Sequence, residues 1–291
     1  MNNYLSSRFC YLSIMLFLFL FAAQSRAEEL PLWELGAGGG VLHVPIYRGS
    51  KQTETFPYPF IIPFYRGKYF YSDEDGVRGE LIETRKYRFD FSLDGSVPAK
   101  SKDVTVRIGM PDLDPTLQIG PALNIKLWSG DNPRQSIIAL IPFRAAFALN
   151  SSILDPIGFT FSPQLSYYRK IPFIKGDWKL GLTGSLQFGS EKYHDYFYQV
   201  DKQYETPDRA AYNAEGGYGG YRLIATFHHR IKNTWISLFT RYDRVDNAVF
   251  EDSPLVDSKD GLTAGFLVTW FFYDSKSTVE VVDWKYESKS E

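Results

Sequence analysis

The stretch WKLGLTGSLQFGS, residues 178–190, alternates from one side chain to the next. Trp178, Leu180, Leu182, Leu186 and Phe188 share one parity, and Lys179, Thr183, Ser185 and Gln187 share the other. Period-2 alternation makes a β-strand with one apolar face. That face must point either into the core of a sandwich or out into the lipid around a membrane barrel. The rest of the chain has to decide between the two.

Similar stretches follow one another at 32–44, 57–65, 68–73, 76–84, 86–97, 117–128, 136–149, 157–170, 178–190, 217–230, 234–245 and 261–272. Tyr87, Phe89, Phe91 and Leu93 alternate with Arg88, Asp90, Ser92 and Asp94. Leu117, Ile119, Leu123, Ile125 and Leu127 alternate with Gln118, Asn124 and Lys126. Ile157, Phe159, Phe161, Leu165 and Tyr167 alternate with Thr160, Ser162, Gln164 and Ser166, and Leu262, Phe266, Val268, Trp270 and Phe272 face one way. Many of these runs exceed the usual globular strand of about five or six residues. A tilted membrane-crossing strand needs about nine to eleven. No helical segment stands out, and no 18-residue apolar run follows residue 27.

Connection lengths sort by parity. At one end they are 66–67, 85, 129–135, 171–177 and 231–233; at the other they are 45–56, 74–75, 98–116, 150–156, 191–216 and 246–260. Short periplasmic turns and long outer loops are the asymmetry of outer-membrane barrels, and a sandwich has no reason to show it. The expected fold is therefore all-β, a transmembrane antiparallel β-barrel of about 12 strands. Mean hydropathy is only −0.25, because a barrel averages its lipid face against its polar face. Trp33, Trp178, Trp235, Trp270 and Tyr273 suit interfacial girdles. Pro121, Pro142 and Pro163 mark bulges or bends, and GAGGG at 36–40 predicts a thin, flexible first strand.

Residues 1–27 read as a cleaved signal peptide, with Arg8, the apolar run 9–23 and small residues before a cut after Ala27. The only cysteine, Cys10, lies inside it, so the exported chain is expected to carry no disulfide. The barrel is expected over 28–273, followed by a charged periplasmic tail, 274–291, read first as a segment without fixed structure and otherwise as one that touches a partner. A net charge of −2 gives no nucleic-acid footprint.

GAGGGVLHVPIYRGSKQ (36–52), FPYPFIIPFYRGKYFYS (56–72), the long segment 196–237 and SPLVDSKDGLTAGFLVTWFF (253–272) occur in order across nearly the whole exported chain. Together they resemble the MipA/OmpV family of outer-membrane proteins. The resemblance implies location in the outer membrane of a Gram-negative bacterium. It also implies a scaffold role, joining a murein-degrading lytic transglycosylase to a murein polymerase.

Chemistry-bearing motifs are sparse. Nucleophile-elbow and His-Glu-x-x-His patterns are lacking, and no catalytic residue, metal ligand or cofactor is assigned. Adjacent His228 and His229 point to opposite faces of a strand. The polar parity places Arg88, Asp90, Lys126, Arg144, Lys170, Lys179, Arg222, His228, Arg230, Arg241 and Asp243 on the lumen side. Two readings follow: a basic channel for anionic solutes, or paired charges closing a narrow barrel. A scaffold that is not an enzyme is the first functional expectation. A small-solute channel is the alternative, and a lipid-modifying enzyme using His43, His194, His228 or His229 is the third. Expected partners are outer-membrane lipid and periplasmic murein enzymes. The Tyr-rich loop 191–208 is either a recognition surface or a hydrated cap.

Overall fold

The computed structural model describes residues 28–67, 70–73, 76–130, 134–150, 154–172, 177–281 and 284–286. The expected signal segment, 1–27, lies outside the described residues. Among them the strands are β1 (Glu28–Pro31), β2 (Trp33–Pro45), β3 (Thr53–Pro57), β4 (Phe60–Arg66), β5 (Phe70–Asp73), β6 (Gly76–Glu83), β7 (Tyr87–Ser96) and β8 (Thr116–Ser129). They continue with β9 (Gln135–Ala148), β10 (Asp155–Phe161), β11 (Gln164–Pro172), β12 (Asp177–Gly189), β13 (Gly217–Ile231), β14 (Thr234–Arg244), β15 (Asp260–Asp274) and β16 (Thr278–Val281).

All but β1 and β16 join one antiparallel sheet of fourteen strands, and β15 pairs with β2 to close it. β3 and β4 keep a single register against β2, from Pro45↔Thr53 to Trp33↔Tyr65. β10 and β11 likewise share a register against β9, up to the break at Ser162–Pro163. Each pair is one stave interrupted where proline removes a donor, so the fourteen strands form a barrel of twelve staves.

Lipid lies outside this barrel. Exposed Phe89, Phe91 and Leu93 on β7, Ile141 and Phe143 on β9, Leu182 and Leu186 on β12, and Phe266 and Trp270 on β15 form an apolar outer surface. Their strand neighbours of opposite parity are buried polar groups such as Asp90, Arg144, Ser185 and Thr269. Apolar outside and polar inside is the inverse of a soluble sandwich, and it answers the ambiguity of residues 178–190.

The glycines of β2 serve close packing rather than flexibility. A Cβ on Gly38 would lie 2.4 Å from the Val268 carbonyl oxygen and 2.7 Å from the Phe60 ring, and one on Gly40 would lie 2.0 Å from the Phe266 carbonyl oxygen. Bare backbone there lets inward side chains of neighbouring staves lie flat on the wall.

Four expectations are corrected. Trp235 is not a girdle residue: it is buried inside the barrel, beside Phe64 and Phe271. Ile157 leaves the lipid face at a bulge between Pro156 and Gly158 and is buried beneath the loops. A helix, α1 (Glu191–Tyr198), forms where none was expected. The tail has structure over 278–281, where β16 pairs with β1 from Pro31↔Thr278 to Glu28↔Val281, and over 284–286, a single 3-10 turn.

Candidate functional site: the barrel interior

The interior is built in layers between the loop end and the terminal end, which carries β1 and β16. Just below the loops, arginines from three elements converge on Asp243 of β14. Arg222 of β13 places Nε 2.8 Å from one carboxylate oxygen, Arg48 of the 46–52 loop approaches the same oxygen at 3.0 Å, and Arg241 reaches the other at 2.8 Å. Arg222 also faces Asp94 of β7 at 3.6 Å. Arg144 of β9 is buried beside them and donates to the hydroxyls of Ser92 (2.6 Å) and Ser162 (2.8 Å). Register explains the grouping: Arg222↔Asp243 and Ile224↔Arg241 are opposed pairs on the inner face of β13 and β14.

At the terminal end, Glu34 of β2 takes Arg66 of β4 at 2.6 Å and both terminal nitrogens of Arg230 of β13. Arg66 and Arg230 also lie over the rings of Phe64 and Phe271, at 5.7 and 4.6 Å. Those two rings lie tilted at 44° with centroids 4.8 Å apart, and Trp235 is edge-on to Phe64 at 6.0 Å. Ion triad and aromatic cluster thus fill one side of this end, with both arginines held by the one carboxylate of Glu34.

The opposite side is filled by the tail. Trp284 is 3% exposed and its Nε1–H donates to the Thr84 carbonyl at 2.9 Å. Its ring lies against two cations, Arg88 of β7 at 4.8 Å and Lys126 of β8 at 4.6 Å. Lys285 lies over Tyr168 of β11 at 4.2 Å. Arg88 is paired with Asp90 at 3.1 Å, and Asn124 donates to the same carboxylate.

The loops close the other end as a cap with its own core, not a merely hydrated layer. Tyr47, Val104, Phe197, Tyr198, Val245 and Phe250 are buried together, and the rings of Tyr198 and Phe250 stack at 3.7 Å. Arg107 and Arg209 tie the loop segments through backbone carbonyls: Arg107 to Phe197 at 2.9 Å, Arg209 to Val106, Ile108 and Tyr204 at 2.7–3.0 Å. Burial pushes the phenol pKa values of Tyr47 and Tyr198 up. His194 of α1 donates from Nδ1 to the Glu215 carbonyl (2.7 Å), yet burial dominates and pulls its imidazole down to about 4.

The residues predicted from the sequence fall into distinct groups, with Lys170 and Lys179 opposed across β11 and β12. Arg144, Arg222, Arg241 and Asp243 form the loop-end layer with Arg48 and Asp94, while Arg88, Asp90, Lys126 and Arg230 lie at the terminal end. His228 sits between these layers, its ring edge-on to Trp235 at 6.2 Å. Its neighbour His229 faces the other way and stacks under Trp178 at 4.8 Å. His43 is on the outer face, its Nδ1 2.7 Å from the Thr55 hydroxyl. No group of three or more metal-ligating side chains occurs among the described residues.

The family model described as MltA-interacting protein MipA matches residues 36–272. The chain belongs to this family. A MipA-family chain with this closed barrel and its apolar outer face is an outer-membrane protein. Solved structures of similar shape include a bacterial polysaccharide outer membrane secretin (9% identity, 84% of this chain and 99% of that one, TM-score 0.40). Pseudomonas putida OprB (11%, 67% and 47%, 0.36) and CdiB from Acinetobacter baumannii (8%, 82% and 60%, 0.35) are others. No curated protein matches in sequence.

Glu34, Trp284 and β16 fall outside the span shared with the MipA family, whereas the loop-end arginine layer falls inside it. Sequence reasoning missed Glu34, Arg66, Arg48 and Trp284. Glu34 and Arg66 do carry the inward parity of Gly36 and Phe64, so alternation alone was enough to place them. Arg48 and Trp284 lie outside any alternating run and left no such signal.

Proposed function

We propose that this protein is a closed barrel acting as an outer-membrane scaffold, with the terminal end facing the periplasm and holding murein-degrading and murein-synthesising enzymes. The family's description, as a protein that interacts with MltA, supports the partner class. The observation that carries the choice of scaffold over channel is the packing of the interior. Inward side chains near both ends, including Glu34, Phe64, Arg88, Phe271, Arg144 and Asp243, are each under a tenth exposed. A water-filled pore would leave such groups wet. The terminal ribbon of β1 and β16 gives a partner an ordered feature to contact on the periplasmic side.

The test uses the folded, signal-free protein immobilised in detergent, with a purified MltA-type lytic transglycosylase and a murein polymerase passed over it. Retention of both, together with no stepwise conductance in planar bilayers, is the expected outcome. Steady conductance with no retention of either enzyme refutes the scaffold and restores the channel.

A further inference from the structure

The loop-end layer carries more positive charge than its carboxylates neutralise. Arg48, Arg144, Arg222 and Arg241 face only Asp94 and Asp243 among the described residues, a formal surplus of two. Three of these arginines share the single carboxylate of Asp243. Arg144 is buried and its guanidinium is held by the hydroxyls of Ser92 and Ser162, with no carboxylate in ion-pair range. Arginine does not shed its proton, so the surplus cannot be removed by titration. Bulk salt screens such an interior layer weakly.

The layer also has room. Asp94 and Arg241 point inward, yet their side chains remain 34% and 31% accessible. Arg241 lies beside Asp243 with Nε 2.8 Å from the carboxylate but outside hydrogen-bond geometry, and none of its nitrogens donates to a described residue. Tyr193 adds a hydroxyl in the same layer, accepting from Gln118 at 3.2 Å.

We propose that this layer is a binding site for a small oxyanion of the phosphate class carrying about two negative charges, held by Arg241 and flanked by Arg48, Arg144 and Arg222. Guanidinium groups present paired donors that match a tetrahedral oxyanion, and a dianion balances the surplus of two. The site is independent of the scaffold reading. It needs no enzyme partner and no open pore.

The experiment measures binding of inorganic phosphate to the full folded, signal-free protein in detergent, by calorimetry and by broadening of the phosphate phosphorus resonance at constant ionic strength. Saturable binding is expected, with the dissociation constant raised at least tenfold by Arg241→Gln. Asp94→Asn removes a competing carboxylate and is expected to tighten phosphate several-fold. That gain keeps the test decisive if the arginine variant fails to fold. Equal effects from chloride at matched ionic strength overturn the proposal. So does binding that neither substitution changes.

Discussion

Replacing Trp284 with alanine is expected to free the tail and leave the barrel standing. The ring is 3% exposed, hydrogen-bonded to Thr84 and flanked by Arg88 and Lys126. Truncating a buried tryptophan costs about 3–5 kcal/mol. At about 1.4 kcal/mol per factor of ten, the ratio of docked to undocked tail falls by roughly two to four orders of magnitude. What remains is the ribbon of four pairs between β1 and β16, and an isolated two-stranded ribbon is marginal in water. Hydrogen–deuterium exchange followed by mass spectrometry reads this directly: peptides covering 276–286 exchange fast in Trp284→Ala, while β7, β8 and β13 keep wild-type protection. Trp284→Phe keeps a ring between the cations but loses the bond to Thr84, worth about 1 kcal/mol, and should fall between the two. Equal protection of 278–281 in wild type and Trp284→Ala would show that the ring does not hold the tail, and the reasoning fails.

Two further outcomes follow from buried charge. Glu34→Gln keeps the shape of the triad but leaves Arg66 and Arg230 facing each other without their carboxylate, a loss of about 3–5 kcal/mol. It should lower the thermal midpoint of the barrel in detergent, and an unchanged midpoint contradicts the pairing. His194 gives a pH response with a definite sign. An opened cap takes up its proton below the ordinary value of 6.5, whereas the closed cap resists down to about 4. Closure is therefore at full strength above 6.5 and weakens as pH falls from 6.5 towards 4, by up to about 3 kcal/mol. Native-state exchange of residues 193–198, corrected for its intrinsic pH dependence, should show this loss in wild type and not in His194→Gln.

The wall of this barrel was legible because it obeys one local rule. Alternation at 86–97, 117–128 and 178–190 located β7, β8 and β12 within a few residues, and the strand break at Ser162–Pro163 did not hide the stave formed by β10 and β11, because the register continues across it. Faces were misjudged where the rule has exceptions. Ile157 lies at a bulge, which shifts parity by one. Trp235 obeys the alternation of Ser237 and Asp243, but its residue type invited a girdle assignment. The helix at 191–198 left a weaker trace: Ser190 at the N-cap accepts from the Tyr193 amide at 3.4 Å, and aromatic residues recur at 193, 197 and 198. The arginine layer was half visible. Alternation pointed Arg144, Arg222, Arg241 and Asp243 inward, but Arg48 arrives from a loop, and convergence on one carboxylate is a three-dimensional fact that no spacing encodes.

The two ends of the interior differ in how far they depend on the chain beyond the family-matched span. Arg48, Asp94, Arg144, Arg222, Arg241 and Asp243 all lie within 36–272, and none of their partners among the described residues comes from the tail. Trp284, β16 and Glu34 lie outside it. Removing residues 274–291 therefore separates the two proposals physically. Such a variant loses the ordered ribbon on the terminal side and uncovers Arg88 and Lys126, while every ion pair of the loop-end layer stays in place. If it still binds phosphate with the wild-type dissociation constant but no longer retains a murein enzyme, the interior site and the docking surface are distinct functions of one barrel. If it loses phosphate as well, the two ends are coupled across the barrel, and the layers cannot be treated as independent.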